Sequence, residues 1–127
     1  MYSDKVLKHF FHPHNMGHMK NPDGVGEVGN PVCGDILRLY IKVKDNKIKD
    51  IRFETLGCAA AIAVSSMITE MVKGMKIKDA LKISKKDIAN ELGGLPAIKM
   101  HCSSLAEGAL RLAIKDYLGR KSKLQIK

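Results

Sequence analysis

The hydrophobic and polar positions change period twice along this chain. Val6, Leu7, Phe10 and Phe11 recur at helical spacing between Asp4 and Phe11, which predicts a short amphipathic helix. It stops before Pro13, whose ring cannot continue it. From His12 to Pro31 glycine, proline, asparagine and aspartate dominate, so this stretch reads as loop with a short strand near Glu27 and Val28. A clean alternation follows. Leu37, Leu39, Ile41 and Val43 are separated by Arg38, Tyr40 and Lys42, the period of a strand with one wet face. Asp45-Asn46-Lys47 supplies a turn and Ile51 to Thr55 resumes the alternation, so an antiparallel hairpin is predicted, ending at Gly57-Cys58.

After Gly57 the period lengthens. Ala61, Val64, Ile68, Met71 and Val72 recur at steps of three and four, which predicts a helix of about four turns closed by Gly74. A shorter helix is expected over Ile77 to Leu81. Ser84 with Asp87 resembles an N-cap pairing for another over Lys85 to Leu92, closed by Gly93-Gly94. Leu95-Pro96 begins an extended stretch, and Leu105, Ala106, Ala109, Leu110, Ala113, Ile114 and Tyr117 mark a last helix from Ser103 to Leu118. The residues after Gly119 are expected to fray. Strands followed by a run of helices argue for an α+β domain rather than a parallel sheet.

The length of 127 residues suits one domain over 1–127, large enough to bury a core without disulfide staples. No apolar run approaches the ~20 residues that a membrane helix requires. Met1 to Lys5 has no apolar signal core, so a soluble, cytoplasmic chain is expected. The formal net charge is +9, with Lys73, Lys76, Lys78, Lys82, Lys85 and Lys86 crowded together. Such a cluster is either a solvated face or a surface that steers an acidic partner. Nucleic acid is the weaker choice, because Trp is absent, Phe and Tyr number three each, and no aromatic or helix-turn-helix signature accompanies the charge.

Three cysteines, Cys33, Cys58 and Cys102, cannot form a closed set of disulfides. Each falls at an element boundary rather than inside an apolar stripe, and a helix N-terminus stabilises a thiolate there. Asp35 lies two residues beyond Cys33, and His101 adjoins Cys102. Three thiolates with one carboxylate or imidazole make a four-coordinate site for zinc or an iron–sulfur cluster. Inert cysteines remain an alternative on spacing alone. Nucleophilic catalysis by Cys102 beside His101 fares worse, since neighbours on a strand point apart. A histidine-rich metal carrier using His9, His12, His14 and His18 is a further reading from another class.

Pro31-Val32-Cys33-Gly34-Asp35, Gly57-Cys58-Ala59-Ala60-Ala61-Ile62-Ala63 and Lys99-Met100-His101-Cys102-Ser103-Ser104-Leu105-Ala106-Glu107 resemble the three signatures of IscU-type iron–sulfur scaffolds. The NifU N-terminal domain belongs to the same family. Tyr2 to Val6 and Pro13 to Gly17 fit it too, so the resemblance runs from Tyr2 to about Tyr117.

It implies a three-stranded antiparallel sheet packed by helices, with the cysteines at one tip. It also implies an assembly scaffold and carrier rather than an enzyme. A cysteine desulfurase would deliver sulfur, iron would join it, and a transient [2Fe–2S] cluster would pass to apo acceptor proteins. Carried over, Cys33, Cys58 and Cys102 are cluster or zinc ligands, Asp35 or His101 completes the site, and Cys102 receives the persulfide. Gly34 and Gly57 either let the backbone approach the site or serve as ordinary turn residues. Lys99 reads first as a lone surface lysine, with balancing of the cluster's charge as the alternative.

A zinc-bound sulfur acceptor of the SufU type is the alternative. Those relatives carry a sizeable insertion between the second and third cysteines that this chain lacks. Bacterial scaffolds also present Leu-Pro-Pro-Val-Lys to an Hsp70-type chaperone. Here the segment is Leu95-Pro96-Ala97-Ile98-Lys99, without the second proline's rigidity, so the resemblance does not carry that partnership over.

Overall fold

A computed structural model describes residues 2–30 and 35–126. Pro31, Val32, Cys33 and Gly34 lie outside the described residues. Helix α1 (Asp4–Phe11) is capped by Ser3, whose hydroxyl accepts from the Val6 N–H at 3.2 Å, and it buries Val6 and His9. Three strands follow: β1 (Gly24–Asn30), β2 (Asp35–Lys44) and β3 (Lys47–Leu56). They form an antiparallel meander in the order β1-β2-β3.

β1 is longer than the short strand expected, because seven residues pair in register with β2 from Gly24↔Ile41 to Asn30↔Asp35. The β2–β3 hairpin turns on Asp45 and Asn46, with φ of 55° and 62°, the double left-handed backbone that two-residue hairpin loops use.

The alternation of β2 holds on its inner face, where Leu37, Leu39 and Ile41 are buried. The outer face is not uniformly wet, since Tyr40 is only 3% exposed. Its hydroxyl donates to Glu54, and the His18 ring packs edge-on against it at 5.2 Å. The loop that looked merely irregular in sequence lies over part of the sheet's second face.

Helix α2 (Ala59–Val72) is buried from Ala60 to Thr69 except at Ile62. Its alanines allow close approach, and its inward hydroxyls are used. Ser65 donates to the Ala61 carbonyl at 2.7 Å, and Thr69 to the Ser66 carbonyl at 2.7 Å. Short helices α3 (Ile77–Ala80) and α4 (Lys85–Glu91) follow, and the expected Ser84–Asp87 pair closes a reciprocal capping box.

Leu95-Pro96 stays extended only briefly. Ala97–Lys99 then forms a 3₁₀ turn, in which the Lys99 N–H reaches the Pro96 carbonyl.

Helix α5 (Met100–Ile126) starts before Ser103 and does not close at Leu118. Gly119 lies within it, and the next residue, Arg120, pairs with Asp116 at 2.9 Å and donates to the Pro22 carbonyl. One core joins the inner sheet face to α2 and α5 through Leu39, Ile41, Phe53, Val64, Ile68, Leu110 and Ile114.

Candidate metal centre

Three separate elements converge at one end of the sheet. Asp35 is the first residue of β2 and is 4% exposed. Cys58 is the N-cap of α2, in extended backbone with no side-chain capping bond, so its sulfur is not spent on the helix. Cys102 lies in the first turn of α5 and is 1% exposed. The sulfurs of Cys58 and Cys102 are 3.8 Å apart, and Asp35 Oδ2 stands 4.0 Å from the first and 3.8 Å from the second. A tetrahedral ion with sulfur at about 2.3 Å requires S···S edges of about 3.8 Å, so this spacing already matches that of coordinated thiolates.

His101 completes the group. Its Nε2 lies 3.6 Å from Asp35 Oδ2 and 3.5 Å from Cys102 Sγ. Its Nδ1 faces the Ile98 carbonyl at 3.0 Å. A carbonyl only accepts, so Nδ1 carries the proton and donates it, leaving the Nε2 lone pair directed at the cluster. Metal-bound histidines are commonly oriented in this way.

His101 and Cys102 are therefore neighbours on a helical turn, not on a strand. The expectation that their side chains point apart does not hold. Cys102 also belongs to the hydrophobic core rather than lying outside it.

That burial changes its chemistry. The helix N-terminus was expected to favour thiolate, but burial first, and then the neighbouring Cys58 and Asp35, push the Cys102 thiol up to about 12. Without metal Cys102 holds its proton at neutral pH. A metal ion must expel it, which couples binding to proton release. Lys99 is raised above the usual lysine range by charge on Cys58 first and Tyr2 next, with Cys102 adding to the effect.

Gly57 is explained by close approach. A Cβ there would stand 2.8 Å from Asp35 Oδ1 and 3.0 Å from the Ala61 Cβ. Exposed apolar residues adjoin the group in sequence: Ile36 beside Asp35, Leu56 beside Gly57, and Ile98 beside Lys99, with Leu56 and Ile98 72% and 79% exposed. Cys33 and Gly34 lie outside the described residues.

The four front histidines do not converge on one point. His18 faces Tyr40 and Glu54, and His12 is the exposed C-cap of α1. His9 and His14 instead meet Glu70 of α2. Glu70 carried no local signal in the sequence, where it sits among apolar positions far from either histidine.

The chain matches the model of the NifU-like N-terminal domain family over residues 1–124. It is 61% identical over 124 residues to the iron-sulfur cluster assembly scaffold protein IscU 1 of Archaeoglobus fulgidus, covering 98% of this chain and 81% of that one. It is 51% identical over 126 residues to the scaffold protein IscU of Aquifex aeolicus, covering 98% and 80%. Among solved structures it resembles a protein described as a putative SUF-system scaffold from Fervidobacterium islandicum. The TM-score is 0.72 at 25% identity, over 89% of this chain and 96% of that one. The fold also matches a NifU-like N-terminal protein from Brucella abortus, with a TM-score of 0.61 at 20% identity.

Proposed function

The chain belongs to the family of NifU-like N-terminal domains and is an iron–sulfur cluster assembly scaffold, and on that premise we propose that a [2Fe–2S] cluster is built on Cys33, Cys58 and Cys102, with Asp35 or His101 as the fourth ligand. The observation that supports this reading is the convergence of Asp35, Cys58, Cys102 and the Nε2 of His101 from β2, the α2 cap and α5.

Iron and sulfide are cargo here. Entering iron displaces the Cys102 proton and leaves a ligating thiolate. Sulfur comes from a cysteine desulfurase. The Cys102 thiolate attacks the terminal sulfur of the donor's persulfide, and the donor cysteine departs as thiolate. Reducing that sulfur to bridging sulfide takes two electrons from an external thiol or electron carrier. Three thiolates and one weaker oxygen or nitrogen ligand hold the cluster less firmly than four thiolates, which suits a site that must release it to an apo acceptor. The exposed Ile36, Leu56 and Ile98 around the site offer an apolar rim to those partners.

The test is anaerobic reconstitution with ferrous iron, cysteine and a desulfurase, followed by visible and Mössbauer spectroscopy and then addition of apo ferredoxin. The expected result is a [2Fe–2S] spectrum that requires all three cysteines and moves to the ferredoxin. The alternative reading is a zinc-bound sulfur acceptor, in which the same cysteines with Asp35 or His101 hold one zinc ion. A chain that retains one zinc, forms no cluster and still speeds the desulfurase would replace the first reading by this one.

A further inference from the structure

We propose that His9, His14 and Glu70 form a second metal site, for a divalent first-row transition ion of the zinc or cobalt type, separate from the cysteine centre. Their ligand atoms all lie within 4.8 Å of one another. Glu70 is placed between the rings: His9 Nε2 is 3.6 Å from Oε2, and His14 Nδ1 is 2.6 Å from Oε1. Metal–ligand bonds of about 2.0–2.2 Å give nitrogen–oxygen edges of about 3.4 Å in a tetrahedral site. The His9 edge is close to that value. The His14 edge needs to open by less than about 1 Å, which its 45% exposed side chain permits.

The donors are held from behind. His9 Nδ1 is 2.7 Å from the Ser66 hydroxyl, which also accepts the His14 backbone N–H at 2.8 Å. When Nδ1–H donates to that oxygen, the Nε2 lone pair is turned toward Glu70, the orientation expected of a ligating imidazole. The loop carrying His14 is fastened at its next residue. Asn15 has φ 60°, its side-chain amide donates to Thr69 Oγ1, and its carbonyl accepts from Phe53 N–H. Three parts of the chain thus present two imidazoles and a carboxylate, a donor set that suits zinc, cobalt and ferrous iron.

The surrounding field has two opposing parts. His9 lies in the last turn of α1 and Glu70 in the last turn of α2, where free carbonyls favour a cation. Lys5 and Lys8 are near His9 and oppose a cation there. Cys58 caps the opposite end of α2, and a rise of about 1.5 Å per residue puts Glu70 roughly 18 Å along the helix from it, too far to share one ion. Bound metal here would pin α1 and the following loop to α2.

Neither the cluster chemistry nor the cysteines enter this inference, and the test keeps them apart. The full chain is titrated with Zn²⁺ while histidine ¹⁵N resonances are followed, and Co²⁺ spectra separate thiolate from nitrogen and oxygen ligation. The expected result is a second equivalent that shifts His9 and His14 but not His12 or His18. His14→Gln and Glu70→Gln should each weaken that second equivalent at least ten-fold while sulfur-to-cobalt absorption is unchanged. Both side chains are about half exposed, so these variants keep the fold. Saturation after one equivalent, or a second equivalent that binds equally well in both variants, would overturn the proposal.

Discussion

Asp35 shows how one residue's placement sets the behaviour of the site. Its carboxylate is buried at the start of β2 and within 4.0 Å of both described sulfurs, and the role proposed for it is that of a fourth ligand that exchanges on and off the cluster. Asp35→Cys would supply a further thiolate, and Asp35→Ala would remove the exchanging oxygen. Each is expected to lengthen the life of an assembled cluster several-fold, measured as its transfer time to apo ferredoxin. Unchanged transfer would remove the carboxylate from the release step. The candidate ligands themselves were legible as residue types at element boundaries. The protonation of Cys102 was not, because a helix terminus is visible in sequence while the core that closes over the thiol comes from α2 and β2. The contact of His101 with Cys102 was missed for a simpler reason. The turn ahead of α5 converts an apparently extended approach into helix, and on one helical turn the two side chains come within 3.5 Å of each other.

Among the elements, the packing of α5 on β1 tolerates the least change. A Cβ at Gly26 would sit 2.1 Å from the Ala109 carbonyl oxygen and 2.5 Å from the Ala113 nitrogen, both backbone atoms that no rotamer change can move. Gly26→Ala is therefore expected to destabilise the fold by about 3 kcal/mol or more, seen as a fall in the urea midpoint. An unaltered midpoint would mean that α5 can lift from the sheet without loss. Ser84→Ala removes one half of the α4 capping box and should cost about 1 kcal/mol in the same measurement. The capping pair, the hairpin and the α2 period could all be read locally. The length of β1 could not, since Gly24, Gly26 and Gly29 look like loop until β2 and α5 are laid beside them.

Over the whole molecule, a net charge of +9 coexists with a site built largely from groups that become anionic. Lys73, Lys76, Lys78, Lys82, Lys85 and Lys86 are all exposed along the end of α2 and over α3 and α4. Long-range steering toward an acidic desulfurase surface would make association fast at low salt. Raising ionic strength to 0.5 M is expected to slow it by about ten-fold in stopped-flow measurements. A rate indifferent to salt would leave the lysines as a solvated face. Among the described residues, no helix is long and apolar enough to cross a membrane.

The sequence by itself determined the α+β order, the meander's central hairpin, the caps and the chemical types available for a metal centre. Each depends on periodicity or on neighbours within a few positions. Tertiary structure decided which of those types meet. Asp35, Cys58 and Cys102 are far apart in the chain and come together only because β2, α2 and α5 share a core. Likewise, four histidines close in sequence separate into an exposed cap, a partner for Tyr40 and a pair facing Glu70. Ligand geometry depends on distances of a few ångströms between separate elements, and local propensity does not specify them.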